Sequence, residues 1–566
     1  MKIMKKHFVI LLAIITSITS CKKNYLNVND VNAFVSPDQL YTNYNYAQQA
    51  VWNIYSYLPD GFARLDYEAI TDNAGATNVT DVSKVFNNGT WNQYNNPDNS
   101  WTRDFNGIRQ ANLYLKNKDK VDITYIKYRI TTSDSSSWYN AQNNVKFMQG
   151  EAQFLKAFFY FDLVKRYGGV PIMNAALDYD NPATWKNIPR NSIDECVHYI
   201  VSLCDSAAAI IPPNLAPYSW YALGRVTYGS IKALKARTLL YAASPSFKNA
   251  GTTATWTDAA SALHDVIALN AYSLDASYAN LFGANNSSSK ELIFYRRYGN
   301  TNSVEKDNFP IVFQNSDGNS ITPTQNLVDA FEVLVKDGGG NITGSRPFDW
   351  TNPADAANPY LNRDPRLAVT AVYNGSTFSS TVIETFTGGN SGLPKSNATK
   401  TGYYLSKWVN QSVDLVANTS TAHTWTYFRY GEILLDYAEA MYNAYGATAD
   451  PQGYGMSALD AVNKIRQRVN MPALTAGQID QKSLEHERNV ELSFEDQRLW
   501  DVRRWNEGPQ YFNAPVYRID IEQNGASFNY TVKALENRKF DPKMEWYPIP
   551  QDEITKTGWK QNQGWQ

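Results

Sequence analysis

The sequence predicts a mainly α-helical protein in which paired helices flank a long irregular insertion. Apolar residues recur at helical spacing before residue 270 and again after residue 426. Between 271 and 425, short β-like runs alternate with Gly, Asn, Ser and Pro. Aromatic residues make up 14% of the chain, with 38 Tyr against 24 Phe. Most of these rings must fill a helical core, and the excess of Tyr, whose ring has a polar tip, indicates a wet binding surface as well.

The first third of the chain contains three strong helical patterns. Residues 39–57 and 101–119 each repeat apolar side chains at helical spacing. Residues 71–101 lie between them and are rich in Asn, Asp, Gly and Thr, which predicts a loop. The strongest pattern runs over 143–167 and ends at the glycine pair that begins with Gly168.

Further helices complete the predicted scaffold, at 191–211, 226–243, 256–269, 427–446, 457–469 and 480–505. Helical pairs of this length favour a tetratricopeptide-type architecture, although no strict 34-residue repeat is visible. Within the insertion, Glu291–Tyr295 and Leu367–Tyr373 are β-like. The Trp- and Pro-rich tail 540–566 is predicted to be extended.

The first 21 residues have the composition of an export signal. Three Lys precede an apolar run from Phe8 to Ile15, which is too short for a transmembrane helix of about 20 residues. Ile18-Thr19-Ser20-Cys21 resembles a bacterial lipobox, so we expect cleavage of residues 1–20 and a lipid on Cys21. The alternative is an ordinary secretory signal followed by an unrelated Cys. Residues 21–45 then form a lipidated tether, and no later run is apolar enough to cross a membrane.

Charge and composition exclude several classes of protein. Removal of residues 1–20 takes away three Lys and no acidic residue, so the formal charge moves from −2 to −5. A mildly acidic chain argues against nucleic acid as the main partner. Cys196 and Cys204 lie about 12 Å apart on a predicted helix, too far for a disulfide, and are expected to be buried thiols. Five His and three Cys form no metal-ligand pattern, and no nucleophile, Walker or zinc motif suggests a catalytic residue or a cofactor.

Four long segments carry a family resemblance. They are GEAQFLKAFFYFDLVKRYGGVPI at Gly150–Ile172, GRVTYGSIKALKARTLLYAASP at Gly224–Pro245, YFRYGEILLDYAEAMYNAYG at Tyr427–Gly446 and LEHERNVELSFEDQRLWDVRRW at Leu484–Trp505. RDPRL at Arg363–Leu367 and WYPIPQDEI at Trp546–Ile554 add to them. In this order they resemble the SusD/RagB family of outer-membrane nutrient-binding lipoproteins, and the match runs over nearly the whole mature chain.

The resemblance implies a domain organisation and a cellular setting. After the signal peptide 1–20 and the tether 21–45, residues 46–566 would form one SusD-like unit. In it, a right-handed helical scaffold at about 46–270 and 426–510 carries the insertion at about 271–425 and a tail at 511–566. The family places a lipidated Cys at the position of Cys21 and anchors the protein to the outer membrane, facing outward. Lys22-Lys23-Asn24 replaces the acidic residues that often follow the Cys of surface-exported lipoproteins, so this stretch alone does not fix the face of the membrane.

Residues from the resembling helices are expected to be structural. Glu487, Glu491 and Glu495 follow each other at four-residue spacing, with Arg488 and Arg498 within reach. Ion pairs of this kind usually attach a helix to its neighbours and contribute only tenths of a kcal/mol when they are exposed. The ligand site is therefore expected in the loops, which carry function more often than framework helices do.

Loop residues that suit a sugar ligand are aromatic or hydrogen-bonding. A sugar ring has an apolar face, on which Tyr or Trp can stack, and a rim of hydroxyls that Asn, Asp or Arg can bind. The candidates are Asp72, Asn73, Asn78, Asp81, Trp91, Tyr94, Trp101, Arg296, Tyr298, Asn308, Phe309, Asn319 and Trp350. They match the ligand-bearing regions of the family by order only. Ala76, Thr77 and Asn78 stand where the family has sugar-stacking aromatics, so no family binding residue is transferred.

The preferred function is capture of oligosaccharides or polysaccharides and their delivery to a SusC-type TonB-dependent transporter, as the resemblance implies. A peptide ligand is the alternative that the RagB branch implies. A secreted glycoside hydrolase would need two carboxylates across one bond, about 5–5.5 Å apart in a retaining enzyme or about 6.5–9.5 Å in an inverting one, and no hydrolase-like motif supports it. A bare structural scaffold would not need aromatic, Asn-rich insertions. On this hypothesis, Trp91→Ala or Tyr298→Ala weakens glycan binding without unfolding the helices.

Overall fold

This computed structural model describes residues 37–77, 82–128, 135–178, 180–284, 286–318 and 321–566. Residues 1–36, which include Cys21, lie outside the described residues, so the predicted export signal, lipid anchor and tether stay predictions. The division into one unit with scaffold, insertion and tail also stays a prediction.

The protein is mainly α-helical, as the sequence predicts. The long helices are α1 (Tyr44–Tyr55), α2 (Trp101–Asn117), α3 (Ser135–Tyr167), α4 (Ile193–Ala208), α5 (Tyr228–Ala243), α6 (Trp256–Ile267), α7 (Tyr430–Tyr445), α8 (Ala458–Arg468) and α9 (Gln481–Leu492). Short helices lie at Pro37–Thr42, Ser83–Asn87, Thr124–Tyr128, Pro245–Asn249, Ser303–Asn308, Gln325–Ala330, Pro353–Ala357, Arg366–Thr370, Arg498–Arg504, Gly508–Tyr511 and Gln551–Thr557. In the described part of the chain, no helix is long and apolar enough to cross a membrane.

The long helices form an array in which each one packs on its neighbours in the chain. Helix α2 packs on α3, α3 on α4, α4 on α5 and α5 on α6. Helix α6 then packs on α7, although about 160 residues separate them in sequence, and α7 packs on α8 and α9. The insertion therefore leaves the array between α6 and α7, and the array continues across it. Nearest-neighbour packing of this kind is typical of helical repeats.

Local signals begin and end these helices. Ser192 and Glu195 form a capping box at the start of α4, Thr227 and Ser230 form one at α5, and similar boxes begin α6, α8 and α9. Helix α3 ends at Gly168, which has φ +71° and is therefore favourable for glycine. A Cβ at Gly169 would lie 2.1 Å from the Asn191 carbonyl oxygen, so the close approach of these two segments also requires glycine.

The strands form small antiparallel pairs. They are β1 (Ala74–Ala76), β2 (Leu292–Thr301), β3 (Ile321–Pro323), β4 (Val333–Lys336), β5 (Ile342–Arg346), β6 (Ala371–Val372), β7 (Thr377–Phe378), β8 (Thr381–Val382), β9 (Tyr404–Leu405), β10 (Thr421–Arg429), β11 (Val516–Asn524) and β12 (Ser527–Glu536). The longest pairs are β2 with β10 and β11 with β12, and β1 pairs with β3. Strands β2 and β10 lie near the two ends of the insertion, so their pairing closes it.

Three sequence predictions need correction. The helix predicted over 480–505 is two helices, because Phe494 and Asp496 adopt positive φ between α9 and Arg498–Arg504. The break turns the carbonyls of Ser493 and Phe494 toward Lys407 and Trp408, which donate hydrogen bonds to them at 2.7 and 2.8 Å. The β-like run 367–373 begins as a helical turn, and the tail 540–566 contains the helix at Gln551–Thr557. Cys196 and Cys204 are buried free thiols, as predicted.

A buried cluster of charges joins α9 to the insertion and to α8. Glu491 is fully buried and is bound by Arg366 at 3.0 Å, by Arg429 at 2.8 Å and by Arg468. Arg429 also binds Glu291 at 2.7 Å and Glu495 at 2.6 Å. Each carboxylate is thus satisfied by arginines that are distant in sequence.

The arginines keep the cluster ionised despite its burial. Burial by itself would raise the pKa of Glu491, but Arg468, Arg429 and Arg366 outweigh it and hold the pKa well below its usual range. The four-residue column that the sequence suggested is therefore a central, buried feature rather than an exposed set of weak pairs. Arg488 and Arg498, the expected partners, instead bind Asp436 and Asp501, and Asp72, respectively.

Loss of Arg429 is expected to destabilise the fold strongly. Arg429→Met leaves Glu291, Glu491 and Glu495 without one shared partner, and an uncompensated buried charge costs about 3–5 kcal/mol. Urea denaturation followed by circular dichroism measures the loss. The matched control is Lys118→Met, which removes the surface pair with Asp119 and should change the free energy of unfolding by less than about 0.5 kcal/mol. Equal stability of the two variants would contradict the role of the cluster.

Candidate ligand-binding groove

The first candidate loop is largely packed into the fold. The Asp72 carboxylate accepts two hydrogen bonds from Arg498, at 2.8 and 2.9 Å. Asn73 is fully buried and donates to Glu68 at 2.7 Å. These two side chains attach the loop to the core, and the expectation that they bind a ligand stays a prediction.

Trp91 is also buried, with 3% of its surface exposed. Its ring centroid lies 4.9 Å from Phe86, 5.0 Å from Tyr547 and 4.8 Å from Trp565. Because aromatic neighbours surround it, Trp91 has no free ring face for a sugar. Tyr94, three residues later, is 77% exposed and remains a candidate.

Three further candidates contact neighbouring side chains. Trp101 begins α2 and is 5% exposed, against Phe105 and Tyr167. Trp350 is half-buried, and its indole N–H donates to Asp329 at 3.2 Å. Phe309 is buried against Phe313 and Phe378. Asn78, Asp81 and Asn319 lie outside the described residues.

Arg296 and Tyr298 are brought together with the turn before the short helix Phe62–Ile70. The Tyr298 hydroxyl donates to Asp60 at 2.9 Å and accepts from the Gly61 N–H at 3.0 Å. Arg296 donates to the Leu58 carbonyl at 3.3 Å, and its guanidinium lies 4.9 Å from the Tyr298 ring centroid. The two side chains of β2 therefore position this turn against the strand.

The β10 side of the turn is equally specific. A Cβ at Gly61 would lie 1.9 Å from the Trp425 ring, so only glycine lets the backbone rest on this indole. Tyr427 donates its hydroxyl to the Pro59 carbonyl at 2.6 Å. Phe62 packs edge-on against Tyr298, Trp408, His423 and Trp425, with ring centroids 5.2–5.7 Å apart.

These contacts create a groove of about 460 Å³, which we call the β2 groove. Its lining residues come from the turn, the short helix Phe62–Ile70, β2, the short helix Ser303–Asn308 and β3, and are Asp60, Phe62, Ala63, Leu65, Asp66, Tyr298, Thr301, Ser303, Val304, Asp307, Asn308 and Ile321. The groove thus combines an aromatic ring with carboxylates and hydroxyls. Ile321 begins β3 and pairs with Ala76 of β1, which brings the two candidate loops to this region.

Carboxylates set the charge of the β2 groove. Asp60, Asp66 and Asp307 line it, and no Lys, Arg or His is among its lining residues. Burial and the nearby charge of Asp317 raise the pKa of Asp307. Burial also raises the pKa of the Tyr298 hydroxyl, so it stays protonated and can donate to Asp60. Among the residues that the structure describes, no group of three or more His, Cys, Asp or Glu is arranged to hold a metal ion.

Sequence reasoning found one wall of the groove and missed the other. Arg296 and Tyr298 were identified from β2, and Asn308 from the segment that follows it. Asp60, Asp66, Asp307 and Ser303 were not identified. The only local signal for Asp60 is its place before Gly61 in a polar turn. Nothing in the sequence indicates that this turn contacts Tyr298, which lies 238 residues further along the chain.

Comparison with known proteins assigns the class of this scaffold. The described residues form a helical array, a loop-rich insertion and a groove lined by aromatic and polar side chains. A family model described as "SusD family" matches residues 290–565, and one described as "Starch-binding associating with outer membrane" matches 38–237. The chain belongs to the SusD/RagB family. No curated protein matches it.

Solved structures share the fold over almost their whole length. A SusD-like protein from Bacteroides fragilis has a TM-score of 0.75 at 25% identity and covers 94% of this chain and 99% of its own. A SusD-like carbohydrate-binding protein from the same organism has a TM-score of 0.74 at 23% identity, covering 92% and 99%. A laminarin-binding SusD-like protein has a TM-score of 0.60 at 20% identity, covering 92% and 98%. The predicted fold class is thereby confirmed.

Trp91 and Tyr94 should separate packing from surface exposure. Trp91→Ala removes a ring from a closed aromatic cluster and should lower the free energy of unfolding by about 3–5 kcal/mol. Tyr94→Ala removes an exposed ring and should change it by less than about 0.5 kcal/mol. Chemical denaturation of both variants measures the difference. A stable Trp91→Ala protein with weakened glycan binding would restore the original hypothesis for this residue.

Proposed function

We propose that this protein binds oligosaccharides or polysaccharides in the β2 groove and performs no catalysis on them. The observation that carries the proposal is the fixed Tyr298 ring beside carboxylate and hydroxyl groups. A sugar presents an apolar ring face and a rim of hydroxyls, and this combination of side chains complements both.

The hydrogen bonds of Tyr298 hold its ring in place before a ligand arrives. Because its hydroxyl is engaged by Asp60 and Gly61, the ring loses little freedom when a sugar stacks on it, and such preorganisation favours binding. The exposed Asp60 carboxylate and the Ser303 hydroxyl lie in the same groove, where they can bond sugar hydroxyls. Phe62 and Ile321 supply apolar contact below them.

The charge of the groove favours uncharged glycans. Three carboxylates line it without a lining cation, so a polyanionic chain would meet like charge. Neutral hydroxyls, in contrast, donate hydrogen bonds to carboxylates. We therefore propose a neutral glycan as the ligand of this site.

The comparisons support a carbohydrate ligand. The model described as starch-binding covers the residues that contribute Asp60 and Asp66, and the SusD family model covers Tyr298 and Asp307. One structural neighbour is described as laminarin-binding and another as a surface glycan-binding protein from Bacteroides uniformis. These descriptions concern the neighbours themselves and provide the class of ligand to test.

The cellular part of the proposal follows the family resemblance. We propose that a lipid on Cys21 anchors the protein to the outer membrane, facing outward, and that a SusC-type TonB-dependent transporter receives the bound glycan. The description "associating with outer membrane" supports the location.

Tyr298 variants test the groove. The mature protein without its lipid is titrated by calorimetry against neutral polysaccharides and against carboxymethylated forms of the same polymers. We expect binding to a neutral glycan, and Tyr298→Ala should weaken it about tenfold, which is about 1.4 kcal/mol. Tyr298→Phe keeps the ring and should retain most of the affinity. Tyr517→Ala, which removes an exposed ring from β11, is the matched control.

The same preparation distinguishes the alternatives. Incubation with each bound glycan should release no reducing ends, and release would support a hydrolase instead. Binding of peptides without any glycan would support the RagB-like alternative. Unchanged affinity of Tyr298→Ala for every bound glycan would contradict the assignment of the β2 groove.

Anchoring and partnership are tested in cells. Cys21→Ala should release the protein from the outer-membrane fraction, because it removes the only proposed lipid site. Protease treatment of intact cells should remove the wild-type protein, and a TonB-dependent transporter should co-purify with it in detergent. Protection from protease in intact but not in lysed cells would place the protein on the inner face instead.

A further inference from the structure

A second concave site is formed by elements other than those that line the β2 groove. It is a cleft of about 540 Å³ between α2, the extended segment 171–177 and the C-terminal helix Gln551–Thr557, and we call it the α2 cleft. None of its lining residues lines the β2 groove. Its volume is typical of a site for a small molecule.

Aromatic and apolar side chains form most of its surface. Trp101, Phe105, Trp185 and Trp559 line the cleft, together with Met173 and Leu177. The Trp101 ring centroid lies 4.8 Å from Phe105 and 6.2 Å from Trp559. These side chains give the cleft a largely apolar lining, and an apolar lining of this kind in a cleft marks a binding site.

Hydrogen bonds fix the positions of the segments that form the walls of the α2 cleft. Asn112 donates from α2 to the Met173 carbonyl at 2.9 Å, and the Met173 N–H donates to the Tyr160 hydroxyl at 2.6 Å. The Trp559 indole N–H donates to the Ile188 carbonyl at 2.8 Å. The rings are therefore positioned by the fold itself, and the cleft is preformed.

The rim of the cleft carries an unmatched positive charge. Arg109 is exposed on α2, and within the described part of the chain no carboxylate lies within 4.0 Å of it. The other charged lining residues, Lys556 and Glu553, bind each other at 3.0 Å. The α2 cleft thus differs from the β2 groove, whose lining residues include three Asp and no Lys, Arg or His.

We infer that the α2 cleft is a second binding site, for a single acidic sugar unit that carries a carboxylate, such as a uronic acid. The apolar face of the sugar ring would stack on the side of the cleft that Trp185 and Trp559 line. The carboxylate would accept hydrogen bonds from Arg109, and the exposed Asn106 amide would bond a hydroxyl. A guanidinium is well suited to a carboxylate because it can donate two parallel hydrogen bonds. The class of ligand, a sugar, rests on the proposed function, whereas the site and its charge preference do not.

The test separates the two sites by variant and by ligand. Glucuronic acid and glucose are titrated into the mature protein, and binding is followed by ligand-observed NMR and by tryptophan fluorescence. We expect glucuronic acid to bind more tightly than glucose. Arg109→Gln should remove this preference and Trp185→Ala should weaken binding at least fivefold, whereas Tyr298→Ala should leave glucuronic acid binding unchanged.

Matched controls exclude a general effect of losing a surface side chain. Trp52→Ala removes an indole that is 53% exposed on α1 and lines neither site, and Lys118→Gln removes a surface cation outside the cleft. Both should bind glucuronic acid as the wild type does. Arg109 is exposed on the helix, so Arg109→Gln should fold normally, which circular dichroism checks.

Each result has a separate meaning for the two proposals. Equal binding of glucose and glucuronic acid, or unchanged binding in both Arg109→Gln and Trp185→Ala, would overturn the assignment of the α2 cleft. If Tyr298→Ala still lost binding of neutral polysaccharide in that case, the β2 groove proposal would be supported although the α2 cleft assignment had failed. Binding of glucuronic acid at the α2 cleft without any binding of polysaccharide at Tyr298 would support this inference and contradict the proposed groove.

Discussion

The buried cluster of charges around Glu491 is the constraint on which the placement of the insertion depends. Glu291 directly precedes β2 and Arg429 ends β10, and the two bind each other at 2.7 Å while Arg429 also binds Glu491 and Glu495. One end of each strand is thereby joined to α9. Burying a charge without a partner is costly. A shift of β2 against β10 that left any of these groups unpaired would therefore be strongly unfavourable.

The β2 groove follows from this register. With β2 and β10 fixed, Trp425 and Tyr427 of β10 and Tyr298 of β2 meet the turn at Gly61, where only glycine allows the backbone to approach the indole. The ring that we propose for sugar stacking is therefore held by the framework rather than by a free loop. Such preorganisation lets weak contacts with a flexible glycan give useful affinity.

The candidate site could be read from the sequence only where a single strand carries it. Tyr298 and Arg296 are two residues apart on β2, so strand geometry places them on the same face. The sequence made three other residues look equally suitable. However, Trp91 packs against Tyr547 and Asp72 binds Arg498, both more than 400 residues away, and Asn73 binds Glu68. Burial depends on what the chain brings alongside a residue, which composition does not specify.

Local physical chemistry determined the helices by itself. Apolar spacing, the capping boxes before α4 and α5, and Gly168 at the end of α3 each act within a few residues, so the sequence alone specifies where these helices lie. The same sequence also carries the segments by which the SusD/RagB family is recognised. Only the tertiary structure decided that Glu491 binds Arg366, Arg429 and Arg468, that the helix after Leu492 breaks, and that Asp60 meets Tyr298. These outcomes depend on contacts between segments tens to hundreds of residues apart, and no local pattern encodes them.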